Sequence, residues 1–308
     1  MSRLPVATLS ALLTLACGRT PPAPADAARD AAPATATAEA PLPDAGAALA
    51  SDVARAALRQ QDFDRQDALT LPAVAPAWLA ALRPPLPVKL VAFGLERGMA
   101  KTKPVPGRHK QMVRFVTTLH DAALREGFAR HLVAQGWPVK DRTLVTPIDH
   151  PVHGRLTVTI TARAELATRV ELVVEGQEAP GAPPLEDPTR MLRRPLEWLD
   201  DAVAQPIGYE FGHFHAVRFE GAITDVQRIA FAVRFADAGV RDAWRLRLAD
   251  RAEAAGLRVE ARDSLLFRGE DGGIFTVRTT DDPQVLVIHH QQRWTRAPRP
   301  TDGQPPPP

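Results

Sequence analysis

The chain has 308 residues, of which 45% are hydrophobic and 24% charged; that is long enough for two domains and too apolar for a wholly disordered protein. Its 38 basic and 36 acidic residues leave a net charge of +2, so a nucleic-acid partner, which needs a clustered basic surface, is not expected. The 30 prolines gather near the N-terminus, in the 180–206 connector and at the C-terminus, leaving the rest with ordinary globular composition.

Arg3 opens a short positive region, and Leu4 to Ala16 form an apolar run of signal-peptide length, too short to span a bilayer as a mature helix. Cys17 follows, the single cysteine of the chain, so it has no partner for an intramolecular disulfide. Leu13-Thr14-Leu15-Ala16-Cys17 resembles the lipobox of bacterial lipoproteins, in which the cysteine thiol is acylated and becomes the mature N-terminus. The resemblance covers residues 1–17 and implies a signal peptide, a lipid-modified Cys17, and the membrane as a partner through that lipid. Gly18 after the cysteine, rather than Asp, implies export to the outer membrane of a bacterial envelope. No family resemblance covers the mature body.

Residues 18–50 are almost wholly Ala, Pro, Thr and Asp, too poor in large apolar side chains to offset the entropy of ordering, and are expected to form a tether. Residues 51–86 read as a helical lead-in, with Val53, Ala56, Ala57 and Leu58 on one side and a second short helix around Trp78 to Leu82. A first module is expected over 87–178. It contains a strand at Val88–Phe93, a basic loop through Lys110, a strand at Met112–Val116, and a helix capped by Thr117 or Thr118 that buries Leu124, Phe128 and Leu132. Gly136 stops that helix, and a short strand at Thr143–Pro147 precedes alternating strands around Leu156–Ile160 and Val170–Val174.

A connector over 179–207 is expected to hold a helix from Thr189 to Ala204, kinked at Pro195. The second module, 208–296, repeats the plan: strands at Tyr209–Phe219 and Ile229–Phe235, an Asp237-capped helix, a Gly256 stop, and strands near Val259, Leu265–Phe267, Ile274–Thr279 and Val285–His289. Asp271-Gly272-Gly273 is a hairpin signal. Residues 297–308 form a solvated tail. At an offset of 120 residues Val113, Phe115, Gly136 and Val139 meet Val233, Phe235, Gly256 and Val259, the mark of an internal repeat. The expected fold is therefore α+β, two tandem related modules, each a helix packed on an antiparallel sheet.

Histidine carries the main chemical candidate. His213 and His215 lie two apart on a strand and point to one face, so they can serve as two imidazole ligands to a divalent metal or as hydrogen-bonded core residues. Asp149, His150, His153 and Glu210 are further possible donors. His289 and His290 are adjacent, hence on opposite faces, and are read as strand-end residues. No nucleophile elbow, phosphate loop or dinucleotide fingerprint occurs, so no catalytic residue and no cofactor are assigned. The expectation is a lipid-anchored envelope protein with a non-catalytic binding or structural role, its partner an envelope protein or small ligand. A groove between modules or an exposed sheet face would be the contact surface. The alternative is a metal-dependent enzyme or metal-binding protein using His213 and His215.

Overall fold

Strong alternation of apolar and polar residues dominates the chain, and a computed structural model turns it into one continuous antiparallel sheet. The structure describes residues 49–56, 69, 81–140, 143–162, 168–178, 181–199, 203–217, 223–261, 265–269 and 272–296. The expected signal segment, Cys17, nearly all of the expected tether, most of the helix expected at Trp78 to Leu82 and the expected C-terminal tail lie outside them. The described residues fall in one unit, Pro43–Pro308.

The first half contains β1 (Val88–Ala100), β2 (Lys103–Thr117), helix α1 (Asp121–Ala134), β3 (Ile148–His150), β4 (Gly154–Ala162) and β5 (Thr168–Gln177). The second contains β6 (Gln205–Val217), β7 (Ile223–Arg234), helix α2 (Ala238–Ala254), β8 (Arg258–Ala261), β9 (Leu266–Arg268), β10 (Ile274–Thr279) and β11 (Val285–Arg296). Each half is thus a hairpin, a helix and a meander. Among the described residues eleven strands run in the order β3-β4-β5-β2-β1-β6-β7-β11-β10-β9-β8.

The expected α+β fold of two separate helix-on-sheet modules is overturned: the protein is mainly β, and the two meanders are one sheet. They fuse where β1 pairs with β6, from Ala92↔Phe214 to Arg97↔Tyr209. As separate modules, β1 and β6 would each expose a row of unpaired backbone donors and acceptors, and pairing satisfies both edges at once. Phe93 and Phe211, whose rings lie 6.2 Å apart, tie the seam on the helix-covered face.

That face holds the main core. Phe93, Val113, Phe115, Leu172 and Val174 from the first half and Phe211, Phe231, Val233, Phe275 and Ile288 from the second meet Leu124, Phe128, Leu132, Trp244 and Leu248 of the helices. Each such side chain contributes roughly 1.5–3 kcal/mol on burial. Gly136 and Gly256 take φ of +85° and +82° and stop the helices. The Trp137 and Leu257 amides then donate back to Leu132 O and Ala252 O, both at 2.9 Å.

Local differences have local causes. The basic segment Lys103–Lys110 is strand, because β1 and β2 form one long hairpin turned by Lys101 and Thr102 in left-handed conformations. Thr143–Pro147 is not a strand; pairing begins at Ile148. Helix α1 starts at His120 without a side-chain cap, since the Thr117 hydroxyl donates to Pro87 O and that of Thr118 to Ala56 O. Asp237 does cap α2, accepting from the Val240 amide at 2.8 Å. Among its described residues the connector forms two short 3-10 turns, Pro188–Met191 and Glu197–Leu199, in place of the expected helix from Thr189, because Pro195 interrupts the helical hydrogen bonds between them.

Candidate functional site

Two clusters of chemistry-bearing side chains lie on opposite faces of the fused sheet. On the helix-covered face, alternation along β6 places Tyr209, Phe211, His213 and His215 together, and the facing positions of β7 supply Asp225 and Gln227. Asp225 is fully buried. His215 donates through Nδ1 to Asp225 Oδ1 at 2.7 Å, the carboxylate being able only to accept. His213 Nε2 lies 3.7 Å from the same oxygen, and Gln227 Nε2 lies 3.4 Å from His213 Nδ1. Gln227 also accepts the Arg193 amide at 2.7 Å, while the Arg193 guanidinium stacks 4.9 Å over Trp294, next to His213. The connector thereby roofs the histidines. The two imidazoles share one carboxylate oxygen rather than surrounding a common point. Among the described residues no group of three or more His, Cys, Asp or Glu side chains is placed to hold a metal ion.

The other candidate donors go elsewhere. His150 and His153 stack 4.4 Å apart against Trp137, and Asp149 pairs with Arg155 at 2.8 Å. This cluster is on β3, five strand spacings or about 24 Å from β6. Glu210 belongs to the opposite face from His213, as strand alternation requires. His289 and His290 also diverge: His289 faces the open side, and His290 packs near Phe275 on the core side.

The open face forms a groove of about 540 Å³. Its floor is read directly from the register. One transverse row runs Val173, Met112, Gly94, Gly212, Arg228, Gln291, and the next runs Glu175, Lys110, Glu96, Glu210, Ala230, His289. Val173 on β5 and Thr276 on β10, six strand spacings or about 29 Å apart along a flat sheet, line the same groove, so the sheet curls with this face concave. Gly94 and Gly212 carry no side chain at the centre of the trough, and the Met112 side chain and the Phe214 ring pack over them there.

One end is closed by the β1–β2 hairpin. Beyond Arg97 β1 leaves its pairing with β6, and Met99 packs on the open face in a small cluster with Ala232, Val285, Val287 and Ile207. The crossing needs two glycines: a Cβ on Gly208 would sit 2.4 Å from Gly98 O. At the tip, the Thr102 amide donates to the Glu210 carboxylate.

Glu96 and Glu210 mark the centre of a local two-fold arrangement. Lys110 and Ala230, 120 residues apart, pair with Glu96 and Glu210, and these two glutamates pair with each other. Burial pushes the Glu96 carboxyl above its usual range and the neighbouring Glu210 adds to this, while Lys110 and Arg108 oppose it. Lys110 Nζ bridges Glu96 at 3.8 Å and Glu175 at 3.2 Å, and Arg114 Nε donates to Glu171 at 2.9 Å. The β2–β5 wall is therefore internally ion-paired. The β7–β11 wall carries Arg228, Gln291 and the half-buried His289, whose pKa is lowered by burial and by Arg278.

Glu96, Arg228 and the two floor glycines were not singled out by sequence reasoning, and Glu210 was read only as a possible donor beside the histidines. The available signal was the polar set of alternate positions on β1, β2, β6 and β7, but its meaning depends on which strands are neighbours. No described helix is long and apolar enough to cross a membrane. No family model matches the chain, and neither a curated protein nor a solved structure is detectably similar to it.

Proposed function

We propose that this protein is a lipid-anchored envelope protein whose folded body binds a ligand in the concave groove, without catalysis. The groove carries the reading: a concave trough with apolar contacts from Met112, Val173 and Phe214 and a few convergent polar groups has the make-up of a binding site. The lipobox-like segment ending at Cys17 supports the anchor, and the matched hairpin–helix–meander halves support an origin by internal duplication. A lipid on Cys17 holds the body at a membrane through buried methylenes, about 0.8 kcal/mol each.

Native mass spectrometry of the full chain extracted from its own envelope tests the groove. A co-purifying ligand is expected that is lost in Val173→Trp and Thr276→Trp, which put bulk into the groove from opposite walls. Retention of the ligand in both folded variants defeats the reading. Metabolic labelling with a fatty-acid analogue tests the anchor: label that persists in Cys17→Ser rules it out. A second reading, a divalent-metal site at His213 and His215, would be supported by stoichiometric metal that disappears in the His213→Ala/His215→Ala variant.

A further inference from the structure

The two walls of the groove occupy corresponding positions in the two halves but differ in charge. In the first half Arg108 pairs across the sheet with Gln177, and its guanidinium lies 3.7 Å from Glu96 and 3.6 Å from Glu175. In the second half Arg228, 120 residues later, pairs with Gln291 in the same way. Where the first half has Glu175 opposite Lys110, the second has His289 opposite Ala230. One carboxylate of the first wall is thus an imidazole in the second.

The consequence is an arginine whose charge is unanswered. Arg228 is exposed to the groove and makes no ion pair among the described residues. Arg293, diagonal to it on β11, is likewise exposed and without an ion pair. Glu210 is the nearest carboxylate by register, and it accepts the Thr102 amide. A guanidinium offers a planar fork of N–H donors that matches phosphate or carboxylate oxygens, Gln291 adds an amide donor beside it, and a neutral His289 retains one N–H. A concave setting strengthens such contacts relative to a flat surface.

We propose that Arg228, Gln291 and His289, flanked by Arg293, form an oxyanion subsite that holds a phosphate ester or carboxylate of the groove ligand. This rests on the groove being the binding site. The oxyanion can come from a free soluble metabolite or from an anionic lipid headgroup, which present the same chemistry.

Isothermal titration of the full chain in non-ionic detergent, with inorganic phosphate as the free oxyanion and glycerophosphoglycerol as the detached headgroup, tests it. The parent is expected to bind at least one probe, with affinity falling at least tenfold in Arg228→Gln/Arg293→Gln and unchanged in Arg125→Gln on the surface of α1. Tighter binding of glycerophosphoglycerol assigns the lipid as the source, and tighter binding of phosphate assigns the free anion. Binding of neither probe by the parent, or equal binding by parent and the double variant with an unaltered circular dichroism spectrum, overturns the subsite. Native ligand retained by the arginine variant but lost in Val173→Trp and Thr276→Trp would remove the subsite and leave the groove. Native ligand retained by the tryptophan variants would instead remove the groove.

Discussion

Asp225 and His215 illustrate what a single buried pair demands. A carboxylate taken wholly out of water is tolerated only with hydrogen-bond partners, and His215 supplies one at 2.7 Å. Asp225→Asn replaces the charged acceptor by an amide and is expected to cost about 1.5–3 kcal/mol, the worth of a hydrogen bond to a charged group. Urea denaturation measures this, and an unchanged midpoint would mean that the pair adds nothing. Glu96 has the opposite character. Its folded pKa lies above the ordinary 4.5, so folding disfavours its charged form, and that cost is present above the folded pKa and disappears as pH falls through 4.5. Glu96→Gln is therefore expected to melt higher than the parent at pH 7, with the gap closing as pH falls from the raised folded pKa toward 4.5. The shared face of His213 and His215 was legible from their spacing of two. Asp225 was not, because it comes from the neighbouring strand, and Glu210 was grouped with the histidines by proximity in sequence although alternation turns it away.

Elements were most legible where a local rule acts alone. The glycine stops of both helices and the Asp237 cap are chemistry within a few residues, and all three occur as read. A Cβ at Gly136 or Gly256 would meet nothing within 4 Å, so the only penalty for alanine is the left-handed backbone itself. Gly136→Ala and Gly256→Ala are each expected to cost about 1 kcal/mol in urea unfolding, and a much larger loss in either would reveal a contact beyond backbone conformation. Where two local rules compete, tertiary contacts decide. Thr117 and Thr118 are good helix caps, but their hydroxyls serve Pro87 and Ala56, and α1 begins later. The Lys103–Lys110 segment has prolines and charges that suit a loop, yet Arg108 and Lys110 find Glu96 across the hairpin and Glu175 on β5, and the segment stays extended.

At the scale of the whole molecule, the seam between β1 and β6 makes one sheet out of two meanders and the groove out of their open faces. Its tightest point is the backbone crossing of Gly98 and Gly208, where neither residue has room for a side chain. Gly208→Val should force the strands apart, destabilise the protein by more than about 2 kcal/mol and uncouple the halves. The expected readout is unfolding in two steps, with tryptophan fluorescence and far-ultraviolet circular dichroism no longer coincident as they should be in the parent. A single coincident transition in the variant would show that the halves are held together by something other than this seam.

By itself the sequence determined the alternation of the strands, the two helices and their stops, and the order strands, helix, meander in each half, because these follow from side-chain periodicity and backbone preference over a few residues. Tertiary structure alone decided that β1 meets β6. Strand edges are made of backbone groups common to all residues, so periodicity shows which face of a strand is apolar and says nothing of which edge finds a partner. The groove and the facing glutamates both descend from that one pairing.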